Sequence, residues 1–113
     1  MGLDMYFLIK PSKEEQMLSL LANRKTDPPA TLRYYMGWWD LHDFICELRD
    51  PDRETQELSL YRETVTAIRE FQFTRPLLPY STISATMKDK RELCHLIELE
   101  LNKGKEVAYR AIF

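Results

Sequence analysis

Two cysteines and two histidines, Cys46, Cys94, His42 and His95, are the residues of this 113-residue chain best suited to hold a metal or to pair a nucleophile with a base. By count they match a structural zinc set, but a zinc site needs its ligands to converge as well. His42 and Cys46 are four apart and share a helical face, whereas Cys94 and His95 are adjacent and diverge by about 100° on a helix. There is no C-x-x-C knuckle, so the expectation is two buried, reduced thiols, with no metal and no cofactor. A Cys–His catalytic pair could assemble only in space, because nothing in the spacing specifies one. The carboxylate pairs Asp40/Asp43 and Glu14/Glu15 fall on polar helical faces, and general acid–base work would require burial to shift a pKa. Gly2, Gly37 and Gly104 are the only glycines and none belongs to a phosphate-binding loop. The P-x-x-P run Pro76-Leu77-Leu78-Pro79 reads as a loop packing its leucines rather than as a ligand for a proline-binding domain.

The richest cluster is aromatic. Taken as one helix after the break Thr26-Asp27-Pro28-Pro29, with Asp27 as its cap, the sequence puts Tyr34, Trp38, Leu41, Ile45 and Leu48 on one stripe. Tyr35, Trp39, His42 and Cys46 form a second stripe beside it, with Asp40, Asp43 and Glu47 on the far side. Large aromatics at helical spacing are ordinarily core, and one stripe suffices to bury a helix in a small domain. The second stripe is therefore read as surplus, and Tyr34, Tyr35, Trp38, Trp39 and His42 as a candidate protein-binding surface. An alternative places an enzyme or small-ligand pocket around His42, with Asp4, Tyr6 and Tyr35 as neighbours.

These residues must be positioned by a single domain, residues 1–113, because a chain of this length builds one core. With 44% hydrophobic and 30% charged residues the composition is that of a packed protein. A net charge of −2 with interspersed signs argues against nucleic acid and anionic membrane as partners. No basic–apolar–small leader and no run of 18 apolar residues is present, so the cytoplasm is the expected compartment.

Leu3 to Ile9 reads as a strand ended by Pro11. Ser12 and Glu15 have capping-box spacing, and a first helix over about 13–24 carries the apolar stripe Met17, Leu18, Leu21. Asp50-Pro51-Asp52 stops the second helix. The stretch from Leu58 fits an extended lead-in followed by a helix over about 62–72, and Thr74 to Tyr80 is an apolar loop. Met87 to Asn102 is a helix stopped by Gly104, and Lys105 to Phe113 alternates as a closing strand. Pairing of the terminal strands predicts an α+β fold: a small antiparallel sheet formed by the N- and C-terminal strands, packed with three to four helices.

The opening Met1-Gly2-Leu3-Asp4-Met5-Tyr6-Phe7 resembles a family of small proteins of bacteriophages, prophages and bacteria whose members commonly begin MGLDMYL. That family also carries a helix with Tyr-Trp-Arg-Lys followed by Ile-His-x-Trp-Phe, and here Tyr34-Tyr35 followed by Leu41-His42-Asp43-Phe44-Ile45 has the same spacing. Met36 and Gly37 replace the basic pair, and the ending Tyr109-Arg110-Ala111-Ile112-Phe113 is loosely similar. The resemblance implies a mobile-element protein acting in a bacterial cytoplasm and brings no established activity. Three readings follow. The first is a non-enzymatic phage accessory protein that binds a host protein, such as a component of a CRISPR or similar defence system, and inhibits it. The second is the His42-centred ligand or enzyme site, and the third is a self-associating scaffold protein, closing a homodimer through its aromatic face.

Overall fold

A computed structural model of the chain describes residues 2–23, 29–50, 57–77 and 81–113. The elements run β1 (Asp4–Lys10), α1 (Lys13–Leu21), β2 (Ala30–Met36), α2 (Trp39–Arg49), β3 (Glu57–Leu60), α3 (Arg62–Glu70), α4 (Ile83–Asn102) and β4 (Glu106–Ile112). The strands form an antiparallel sheet in the order β2-β1-β4-β3, so the terminal strands pair at its centre, as expected for this α+β fold. Alternation fixes the two faces. Met5 and Phe7 of β1 point inward with Val107 and Tyr109 of β4 and Leu58 and Leu60 of β3. They meet Leu41 and Ile45 of α2, Val65 and Ile68 of α3, and Leu93, Cys94 and Ile97 of α4 in one core.

Local chemistry sets the boundaries. The Ser12 hydroxyl accepts from the Glu15 amide at 3.1 Å, and the Thr82 hydroxyl accepts from Ala85 at 3.0 Å, each supplying one of the partners that a helix start lacks. Gly104, at φ 81°, ends α4 in the left-handed region that costs other residues a steric penalty. Thr86, buried on α4, accepts from the Leu77 amide at 2.7 Å and ties the loop before the helix to its first turn.

One expectation is overturned at the centre of the chain. Residues 30–36 form an edge strand, and α2 begins only at Trp39. Gly37, at φ 74°, breaks the backbone between them, and its amide donates to the Leu3 carbonyl at 2.8 Å. A glycine inside a helix costs about 1 kcal/mol relative to alanine, while Thr31, Tyr34 and Tyr35 suit a pleated surface and gain ladder bonds to β1. Leu32 is the extra residue of a bulge: Phe7 faces Arg33, and Leu8 faces Thr31. The Asp27 cap, the Pro51-Asp52 stop and the Leu78-Pro79 half of the proline run lie outside the described residues.

The first helix forms as expected, but its apolar stripe is not packed. None of its residues is buried, and Met17, Leu18, Leu20 and Leu21 are 64, 58, 77 and 79% exposed. The helix is tethered at its base, where Lys105 Nζ donates to both oxygens of Glu15 at 2.7 and 2.8 Å and Gln16 Nε2 donates to the Pro11 carbonyl at 2.8 Å. The radius of gyration is 15.1 Å with a long axis of 50 Å, above the roughly 13 Å of a compact chain of this length.

Candidate functional site

The five residues read as one aromatic surface are dispersed. Tyr34 and Tyr35 are neighbours on a strand and so point to opposite faces of the sheet. Tyr34 lies on the outer face, its ring tilted against that of Tyr6 at 5.1 Å, and its hydroxyl donates to Asp4. That bond to a carboxylate pushes the Tyr34 phenol up to about 12. Tyr35 is half-buried on the inner face, edge-on to Phe7 at 6.1 Å and to Trp38 at 5.0 Å, and loss of solvent pushes its phenol up to about 12. Trp38 is core, and its Nε1 is buried without a hydrogen-bond partner among the described residues.

The buried face of α2 is Leu41, His42, Ile45 and Cys46, which is rotated from the expected stripe. Leu48, expected in the core, is 43% exposed, and the supposedly surplus His42 and Cys46 are buried instead. The reason is β4, which runs under this face. His42 Nδ1 and the Tyr109 hydroxyl share a hydrogen bond of 2.7 Å, the donor being set by the imidazole tautomer. Cys46 Sγ lies 3.7 Å from His42 Nε2 and 3.8 Å from Nδ1. Burial raises the Tyr109 phenol well above its ordinary value. Phe113 closes the end of this cluster, 5.6 Å from His42 and 5.9 Å from Trp39. Asp4 and Tyr6, named as pocket neighbours of His42, lie on the other face of the sheet, so that constellation does not assemble. Cys46 and Cys94 are both buried, as the sequence led us to expect. Among the described residues, no three His, Cys, Asp or Glu side chains converge as metal ligands.

A groove of about 300 Å³ lies on the opposite side of α2, lined by Asp40, Asp43, Phe44, Glu47, Phe71, Phe73 and Arg75 among others. Its floor is the Phe44–Phe71 stack at 4.3 Å. Arg75 bridges its mouth, donating from Nε to Asp40 at 3.1 Å and from Nη2 to the same carboxylate. His42 does not line it.

Two exposed apolar surfaces stand out among the described residues. One is the stripe of α1. The other is the outer sheet face at its β2 and β4 ends, where Tyr34, Met36 and Ile112 are 45, 60 and 47% exposed. Of the five candidate residues only Tyr34 lies on it; Trp39, 43% exposed, packs against His42 and Phe113 on the helix side. Met36, Ile112 and the α1 stripe, also exposed, were not among the candidate residues. The signal for the outer face, alternation against the buried Met5 and Phe7, depends on knowing that residues 30–36 are a strand. No helix among the described residues is long and apolar enough to cross a membrane. The fold and these surfaces define a four-stranded α+β domain with exposed apolar patches. No family model, curated protein or solved structure matches the chain.

Proposed function

We propose that this protein acts by binding another protein rather than by catalysis, and that α1 is the element it presents. The observation that carries the reading is the four large apolar side chains of α1, all more than half exposed on a helix anchored at its base. Met17, Leu20 and Leu21 stand at i, i+3 and i+4, the spacing with which a helix inserts anchors into a hydrophobic groove. Burying each such side chain is worth about 1.5–3 kcal/mol. That suffices for a specific contact once the helix is already formed and oriented. The sequence resemblance supports a bacterial host as the setting. In that reading the partner is a host protein, with a component of a CRISPR or similar defence system the leading candidate, and the activity is inhibition by occupation of a surface.

The test compares tagged wild-type protein with a Leu20→Asp, Leu21→Asp variant in affinity capture from a bacterial lysate. Circular dichroism establishes that the variant is folded. The expected result is a host protein retained by the wild type, lost by the variant, and still retained by Trp39→Ala. Equal retention by both α1 forms, or retention of nothing, overturns the reading. Expression in a strain carrying an active defence system then tests inhibition, measured as recovery of phage plaques.

A further inference from the structure

We infer that the groove between α2 and residues 71–75 receives an arginine side chain of a partner protein. The site is separate from α1 and goes beyond the reading above. The helix supplies Asp40, Asp43, Phe44 and Glu47, at i, i+3, i+4 and i+7, so all four lie on one stripe. Facing them, Phe71 ends α3 in an extended conformation, and the chain carries Phe73 and Arg75 along the other wall. Lys90 fixes that wall from behind, donating to the Arg69 and Phe71 carbonyls at 2.7 Å each. At about 300 Å³ the groove stands at the lower end of ligand-site volumes, with room for one long side chain.

Charge decides the sign of the occupant. Three carboxylates line the groove against the single cation of Arg75, an excess of negative charge that favours a cation and rejects an anion. The Phe44 and Phe71 rings, stacked at 4.3 Å, and Phe73, edge-on to Phe71 at 4.9 Å, add an aromatic floor. Carboxylates over an aromatic floor suit a guanidinium better than an ammonium. The planar guanidinium forks onto a carboxylate, is weakly hydrated and lays its face on a ring.

The chain itself displays the contact. Arg75 donates to the Asp40 carboxylate from Nε at 3.1 Å and from Nη2, the two-pronged bond expected of the guest. It does so from the mouth, with its side chain 74% exposed, so it engages the carboxylate without filling the groove. An exposed pair of this kind exchanges partners readily. Arg75 is therefore an internal competitor. A guest arginine takes Asp40 from it and lies over Phe44, with Asp43 one turn along the same stripe and Glu47 beyond it.

The probe is the peptide acetyl-Gly-Arg-Gly-amide, titrated into the isotope-labelled whole chain and followed by backbone amide shifts. Saturating shifts are expected at residues 40–47 and 71–75, with a Kd of about 1 mM or tighter. The citrulline analogue keeps the shape without the charge and is expected to bind at least about tenfold more weakly, and the lysine analogue at least about threefold more weakly. Asp40→Asn is expected to weaken binding at least about fivefold, and Arg75→Ala to tighten it at least about threefold by removing the competitor. Circular dichroism establishes that both variants are folded. Leu20→Asp, Leu21→Asp binds the peptide as the wild type does, so failure of the α1 reading leaves this result standing. Absence of saturation by about 20 mM overturns the inference, as does equal binding of the citrulline or lysine peptide, or weaker binding by Arg75→Ala. Free arginine binding more tightly than the peptide assigns the groove to an amino acid and overturns the protein partner.

Discussion

His42 illustrates how a side chain with catalytic potential can be spent on architecture. Its ring is enclosed by Tyr109, Cys46 and Phe113, and its hydrogen bond to Tyr109 joins α2 to a central strand. A bond of that kind is worth about 1 kcal/mol net, and leaving its partner unsatisfied in the core costs more. Lys90 is another buried polar group with a structural task. Its ammonium donates to the carbonyls of Arg69 and Phe71, both at 2.7 Å, and so caps the end of α3 from the neighbouring helix.

Five groups predict the alkaline behaviour: Tyr34, which its hydrogen bond to Asp4 raises to about 12, and four that burial shifts. Burial holds Tyr109 above the ordinary 10.0, raises Tyr35 to about 12, and raises Cys94 above 9.0. In the unfolded chain these groups lose their protons near their ordinary values, while the folded protein still holds them. The unfolded state then binds fewer protons, so stability falls as pH rises through about 9 to 12. Lys90 opposes this, because burial lowers it from 10.5 and its folded form releases a proton first. With four groups against one, urea midpoints are expected to fall steadily above about pH 9.5, each buried group contributing up to about 1.4 kcal/mol per pH unit. Tyr109→Phe is expected to flatten the profile. A wild-type midpoint constant to about pH 11 would contradict the assignment.

At the scale of elements, α1 and α4 make opposite predictions from similar compositions. Leu93 and Ile97 of α4 are fully buried, so Leu93→Ala is expected to cost about 2–5 kcal/mol by opening a cavity. Leu18→Ser and Leu20→Ser on α1 remove side chains already in water and are expected to change stability by less than about 0.5 kcal/mol each. Urea denaturation measures both. A cost above about 2 kcal/mol for either α1 substitution would mean that the stripe is packed in the free protein and would remove the basis for its role as a presented surface.

For the whole molecule, the central pairing joins β1 and β4, elements from opposite ends of the chain. Such pairing closes a long loop and contributes little until both strands are in place, which makes for slow, cooperative folding. Native-state hydrogen exchange is expected to show the amides of β1 and β4 opening only with global unfolding, while those of α1 exchange through local opening. Protection of α1 equal to that of the central strands would contradict a helix that, among the described residues, is tethered at its base.

The sequence by itself determined the α+β class, the terminal strand pair, the long helix ended by Gly104 and the extended segment before α3. Each is written in local periodicity, capping residues or turn residues, which act over a few positions. It also determined that Cys46 and Cys94 would be buried thiols. Residues 30–36 were legible only in part. Adjacent aromatics satisfy both a helical and a strand pattern, and the decision came from Gly37 and from the free edge of β1. The exposed apolar surfaces were not legible at all. A stripe of Met17, Leu18 and Leu21 reads alike whether it faces a core or water, and His42 reads alike on a rim or beneath Phe113. Those outcomes depend on which elements stack against which, a property of contacts distant in sequence, and only the tertiary structure decided them.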